Sequence, residues 1–308
     1  PIWDTLISGA LIFDGTGTPP QRIDLAIKNG QIAAKGIDLP RTAAATVIDG
    51  QGKWLMPGLL DIHTHFDLEV EVEPALTEAV RHGTTTVVMS NCSLGLAFGA
   101  LTSPERPEEN PLIDCFARVE NMPKRVLEKC LDGAIDWHDS GSYLHHLEQL
   151  PLGPNVAPMV PHSMLRIAVM GMDAWKRVAT PDEIERMCAY LDDALAAGAM
   201  GLSSNFLDYD KYERPLPPQL ADDAEIEALM RVVARYEGAT VQVVVDYLMR
   251  KTGNASVERW GALAKKTGVR LQWAGLPTLM LMKEQTPRAI ELHEQFKAEG
   301  LPFYTAFT

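Results

Sequence analysis

Apolar residues along this chain fall into two regimes. Over residues 1–55 they come in short, strand-length runs separated by turn residues. Thr5–Phe13 is strand-like and is followed by the turn cluster Asp14-Gly15-Thr16-Gly17-Thr18-Pro19-Pro20. Ile23–Ile27 is a second strand, and Asn29-Gly30 after it is a hairpin signal because both residues tolerate positive φ. Gln31–Ala34 and Ala45–Ile48 complete the set, which reads as the N-terminal part of a small β domain, a flanking sandwich with too few strands of its own. From residue 56 the pattern changes to apolar runs alternating with segments of helical period, which predicts a parallel sheet covered by helices. The strand candidates are Leu59–His63, Thr85–Ser90, Val156–Pro161, Gly198–Ser203, Ala239–Val245, Val269–Ala274 and Leu301–Tyr304. The helical segments are Pro74–His82, Ile113–Leu131, Pro181–Ala197, Asp222–Tyr236, Ser256–Lys266 and Pro287–Glu299. Thr180 with Glu183 forms a capping box at the start of the third.

Seven strands alternating with helices over residues 56–308 predict an α/β fold of the (β/α)8 barrel type, stopped at its seventh strand. A doubly wound open sheet is the alternative. Its nucleotide-binding version is disfavoured, because Gly95-Leu96-Ala97-Phe98-Gly99 lacks the spacing of a dinucleotide loop. A barrel cut short exposes raw sheet edges, so a second polypeptide or a missing C-terminal segment is expected to complete it.

Composition narrows the function classes. A net charge of -13 without any Lys/Arg block argues against nucleic acid as a partner. No apolar run reaches the ~18 residues that would span a bilayer, and no signal peptide is visible. Cys92, Cys115, Cys130 and Cys188 are widely spaced, which fits a reducing, cytoplasmic setting better than a disulfide framework. A small-molecule substrate fits this balance, and oligomerisation stays open.

The strongest candidate chemistry is Leu60-Asp61-Ile62-His63-Thr64-His65-Phe66-Asp67. His63 and His65 are two apart on a strand, so their rings point to one side. At the C-terminal end of a barrel strand that side is the mouth, where two imidazoles can ligate one zinc ion. Cys92, just beyond the next strand, is either a third ligand or a small buried hydrophobe. Asp246 ends the fifth strand as a further metal candidate, and Asp67 is placed to orient a ligand histidine. His162 and Arg166 follow the third strand, where the arginine fork can meet a substrate carboxylate or pair with an internal acid. Ser203 and Asn205 at the fourth strand, with Gln272 and Trp273 on the sixth, are candidates for substrate contact.

These stretches resemble the amidohydrolase superfamily, and within it the D-aminoacylase (N-acyl-D-amino-acid deacylase) group. The likeness rests on Met56-Pro57-Gly58-Leu59-Leu60-Asp61-Ile62-His63-Thr64-His65-Phe66-Asp67, Ser90-Asn91-Cys92-Ser93, Pro161-His162-Ser163-Met164-Leu165-Arg166 and Ala197-Gly198-Ala199-Met200-Gly201-Leu202-Ser203-Ser204. It implies a zinc-dependent hydrolase of an amide, such as an N-acyl-D-amino acid or a cyclic amide, using metal-activated water. It also implies a β domain built from both ends of a longer chain, and metal-site roles for His63, His65 and Cys92. Two departures stand against this. The resemblance implies metal-binding histidines at the ends of the fifth and sixth strands, yet Val241–Asp246 and Val269–Gly275 contain none. The general base expected after an eighth strand lies outside these residues. A divergent enzyme on the same barrel, or a non-catalytic binding subunit, are therefore the competing readings.

Overall fold

The computed structural model describes residues 1–99, 111–119, 122–131, 133, 135–245, 253–274 and 286–306. It divides into two compact units, Pro1–Leu59 and Leu60–Thr308. Among the described residues no helix is long and apolar enough to cross a membrane.

The first unit is a β sheet. Its strands are β1 (Trp3–Ile12), β2 (Gln21–Lys28), β3 (Gln31–Gly36), β4 (Ala44–Asp49) and the short β5 (Trp54–Leu55). They run in the order β3-β2-β1-β4, with β5 also on β1. The Asn29-Gly30 turn joins β2 to β3 with φ of 51° and 74°, as the sequence predicts. Ile7, Ile12, Ile23, Leu25 and Ile27 line an open groove of about 660 Å³ in this unit. Apolar side chains such as Ile32 and Trp54 are left exposed.

In the second unit, β6 (Leu59–Asp61) lies beside β7 (Thr84–Met89), which pairs in parallel with β8 (Asn155–Pro158). β9 (Val160–Pro161) follows after the single residue Met159, whose N–H goes to Met89 O at 3.0 Å. From β9 the parallel sheet continues through β10 (Gly201–Asn205), β11 (Thr240–Val244), β12 (Leu271–Ala274) and β13 (Phe303–Ala306), in chain order. A doubly wound sheet reverses its order at a switch point. Neither sheet of this unit does, so the winding is that of a barrel wall.

The helices differ from expectation where local signals were short. In place of one helix over Ile113–Leu131 there are α3 and α4, spanning Pro111–Val119 and Lys124–Leu131. Pro123, which cannot donate a backbone bond, stands directly before α4 and accepts from Val126 N at 2.8 Å. The four-residue α1 (Glu69–Val72) and α2 (Thr77–Arg81) lie between β6 and β7 in the chain, and α5 (Ser140–Gln149), capped by Asp139 with Ser142, precedes β8. The segment after the third strand, which was not among the expected helices, is α6 (His162–Met170), starting immediately after β9. α7 (Pro181–Ala196) carries the expected Thr180/Glu183 capping box. α8 (Asp223–Val233), α9 (Gly253–Thr267) and α10 (Thr286–Ala298) complete the layer.

Strand alternation sorts the sheet into two faces. Val241, Val243, Leu271, Trp273 and Phe303 pack in the main core with helix residues such as Trp260, Leu292 and Phe296. On the other face Ser203, Gln242, Gln272 and Tyr304 form one cross-strand row, each in register with the next. Packing between β10 and β11 is close: a Cβ on Gly201 would lie 1.9 Å from Thr240 O. Gly201→Ala is therefore expected to force these strands apart and lower stability by roughly 1–3 kcal/mol. A urea midpoint equal to that of the parent chain would show that the strand spacing is not tight there.

Candidate metal centre

Immediately after β6 the chain presents His63 and His65, and after β7 it presents Cys92. One ligand atom from each lies within 4.8 Å of the others. His63 Nε2 is 3.1 Å from Cys92 Sγ, and the two imidazole rings stand 5.5 Å apart nearly edge to face. Burial lowers the pKa of His63, with the charge of Asp61 acting in the opposite direction. Burial and the neighbouring His63 push His65 down to about 4. Both shifts favour the neutral ring, the form that ligates metal. His63 Nδ1 is buried with no hydrogen-bond partner among the described residues. Two imidazoles and a thiol in mutual reach, with an unused ring nitrogen, suit a borderline-soft cation such as zinc.

The turn that presents Cys92 is strained. Ser90, Cys92 and Ser93 all adopt positive φ, at 63°, 54° and 66°. Each such residue costs roughly 1–3 kcal/mol, so the surroundings must hold the turn in place. Asp67 does so from below: its carboxylate accepts from Ser90 N at 2.9 Å and from Ser90 Oγ at 2.5 Å. Burial pushes this carboxyl up to about 6, with the Ser90 bonds pulling the other way. Ser203 donates to Ser90 O at 2.5 Å and accepts from Ser93 N at 3.1 Å. Gln242 Oε1 accepts from Cys92 N at 3.3 Å. Space is also constrained, since a Cβ on Gly95 would sit 2.7 Å from Ser90 Oγ.

Several expected residues sit differently. Asp67 braces the Ser90 turn instead of a histidine ring. Ser203 is committed to the same turn. Asn205 Oδ1 accepts from Leu207 N and Asp208 N at 2.9 and 3.0 Å, so it organises its own loop. Gln272 shares its face with Gln242 and Ser203, whereas Trp273, the adjacent residue on β12, points to the helix side and packs in the core. Period-two alternation forbids both from lining one pocket. Asp246 lies outside the described residues.

His162 and Arg166 form a separate buried network. Because α6 begins at His162, the two are four apart on one helical face. Both reach Glu225 in the first turn of α8: His162 Nε2 is 2.8 Å from Oε1, and Arg166 Nη1 donates to Oε2. His162 Nδ1 meets Ser204 Oγ at 2.9 Å, and Arg166 Nη2 donates to Arg177 O at 2.8 Å. All three side chains are essentially inaccessible. The expectation that Arg166 meets a substrate carboxylate is corrected accordingly, since its charge is already matched inside the protein. His162 is likewise held between two partners, away from the histidine pair's ligand cluster.

Glu225 and Gln242 were not singled out by sequence. Gln242 carried a signal, a lone polar residue within Val241–Val245, while Glu225 looked like any acid in a helix's first turn. Burial works against the Glu225 charge, but the hydrogen bond and charge of His162, then Arg166, outweigh it and hold its pKa below the ordinary value of 4.5. A depressed carboxylate pKa contributes stability above the unfolded value, and that contribution is lost as pH falls through the folded one. Glu225→Gln leaves a buried guanidinium uncompensated and is expected to cost about 3–5 kcal/mol at neutral pH. The variant should also lack the acid-side loss attributable to this group. Urea midpoints across the acid range test both, and equal midpoints for parent and variant would remove the network from the stability of the fold.

Comparison with known proteins gives this geometry its context. The sequence model of the amidohydrolase family matches residues 46–301. An N-acyl-D-glutamate deacylase of Alcaligenes xylosoxydans xylosoxydans is 32% identical over 268 residues, 82% of this chain and 49% of that protein. A D-aminoacylase structure with a binuclear metal centre superposes with TM-score 0.74 at 29% identity, over 99% of this chain and 58% of that one. An N-acyl-D-glutamate deacylase from Bordetella bronchiseptica, complexed with zinc and a phosphonate inhibitor, gives TM-score 0.73 at 26% identity, over 100% of this chain and 58% of that one. The chain spans less than half the length of the curated relatives it matches. On the extent of the family match and the deacylases similar to it, the chain belongs to the amidohydrolase family, in its D-aminoacylase group.

Proposed function

We propose that this chain is the metal-binding part of a zinc-dependent hydrolase that cleaves the amide bond of an N-acyl-D-amino acid. The observation that carries the reading is the convergence of His63, His65 and Cys92. The relatives named as deacylases, one of them complexed with zinc, support the substrate class and the metal. A zinc ion held by these three side chains would supply a Lewis acid and a bound water of lowered pKa. The protein's own residues do the positioning. Asp67, Ser203 and Gln242 fix the turn that carries the thiol, and neutral imidazoles keep their lone pairs available. Arg166 and His162 act from behind the sheet through Glu225 and touch no reacting atom in this reading.

The general base and the last barrel strand belong, in this proposal, to polypeptide beyond these residues. The open apolar groove of the first unit supports further strands for the β domain from the same source. The wide spacing of the four cysteines supports a reducing, cytoplasmic setting.

Two measurements test the reading. Zinc bound by the purified chain after dialysis should fall in Cys92→Ser and His63→Ala by at least the ~10–100-fold in affinity that losing an outer partner costs. Unchanged occupancy in both variants would return Cys92 to a packing role and leave the histidines without a metal. The polypeptide that contains this chain at its native length, loaded with zinc, should release free amino acid from N-acyl-D-amino acids in preference to the L forms. A zinc-loaded protein inert towards every N-acyl-amino acid and cyclic amide offered would end the hydrolase assignment.

A further inference from the structure

The first turn of α6 is closed from outside the helix. Pro161, the residue before it, has no side-chain oxygen to offer the free N–H groups that begin any helix. Ser93, 70 residues before Ser163 and in the turn that presents Cys92, supplies one. The Ser163 N–H donates to Ser93 Oγ at 2.7 Å, and the two serine hydroxyl oxygens lie 2.9 Å apart. Ser163 is the second residue of α6, a position whose N–H an N-cap oxygen ordinarily accepts. Both serines are fully buried, so a bond lost there is not replaced by bulk water.

Packing closes the same junction. A Cβ on Gly95 would lie 2.8 Å from both Pro161 Cγ and Ser90 Cβ, so the chain between Ser90 and Gly95 rests directly on the start of α6. Ser93 N also donates to Ser203 Oγ, which holds the serine from β10. α6 in turn is anchored, because His162 and Arg166 tie it to Glu225 on α8. Ser93 adopts a φ of 66°, where glycine would cost the backbone less but would bring no oxygen. Cys92 is its chain neighbour, so whatever fixes Ser93 also fixes one end of the backbone that carries the thiol.

We propose that Ser93 is a positioning residue of the metal centre: its hydroxyl caps α6 and thereby couples the place of the Cys92 thiol to the closure of that helix's first turn. This rests on the metallohydrolase reading above. α6 and Glu225 act on the metal through Ser93, which itself touches no reacting atom. Coupling of this kind is reciprocal. A metal ion that holds Cys92 in place protects the cap, and the cap keeps the thiol within reach of both imidazoles.

The test measures both directions on the purified full chain, with zinc alone as the probe and no assay of activity. Hydrogen–deuterium exchange is followed by mass spectrometry in the first turns of α6 and α7. α7 is the internal reference, since its own Thr180 accepts from Glu183 N. In the parent chain zinc is expected to slow exchange at the start of α6 several-fold more than at the start of α7. Ser93→Ala and Ser93→Gly are expected to speed exchange at the start of α6 by roughly 5–30-fold, the equivalent of a lost cap. They should also weaken zinc binding by ~10–100-fold, as the loss of an outer partner does. The glycine variant relieves the left-handed backbone, so a drop in its zinc affinity traces the effect to the hydroxyl and not to strain. Circular dichroism reports whether each variant is folded, and the measurement on the parent decides the coupling even where a variant fails to fold. Zinc that binds the parent and slows α6 and α7 alike would overturn the coupling and leave the metallohydrolase reading standing. Folded Ser93→Gly with the zinc affinity of the parent would do the same. A folded parent chain that retains no zinc would overturn both.

Discussion

The carboxylate of Asp67, sealed beneath the turn after β7, is the contact on which the candidate centre depends. Three residues of that turn occupy left-handed backbone conformations that side chains disfavour. Left alone, such a turn would relax and carry the thiol away from the imidazoles. Two bonds from Ser90 to Asp67, reinforced by Ser203 and Gln242, keep the unfavourable conformation and the useful position together. These braces come from the segment after β6 and from β10 and β11, so the turn is held by the barrel wall as a whole. Even the burial that raises the pKa of Asp67 reflects this role, because a solvated carboxylate could not press into the space beneath the turn.

Behind the sheet a second polar system performs a different task. His162, Arg166 and Glu225 join α6 to α8 through an ion pair closed off from solvent. Such a pair contributes little net stability compared with hydrocarbon of the same volume, but losing one member leaves a buried charge. It therefore ties α6 and α8 to one relative arrangement. The two systems meet at β10, where Ser203 turns to the Cys92 side and Ser204 to His162. One strand thus links the brace of the Cys92 turn to the brace of the helices, through nothing more than the alternation of successive side chains.

That alternation also explains what sequence could and could not reveal. The His63 and His65 pair was legible from its spacing, although β6 ends at Asp61, short of the expected strand, so both rings are carried just beyond it; Cys92 was legible because it follows the next strand. Parallel order and the Thr180 cap were legible for similar local reasons. Trp273 was misread although the information was present: it is adjacent to Gln272, and adjacent strand residues cannot share a face. Between the two readings of Arg166, substrate carboxylate or internal acid, sequence could not choose, because α6 starts without a side-chain cap of its own and nothing local announced the helix that turns it towards Glu225. Glu225 itself, 63 residues from His162, becomes visible only once the helices are packed.

The left-handed backbone at Cys92 has a bearing on the residue found there. At a φ of 54° glycine would be the residue of least conformational cost, and β-branched residues would fit worst. Backbone economy and side-chain chemistry therefore make opposite demands at this single position. The chain carries sulfur at this position in spite of that backbone cost, within reach of both imidazoles.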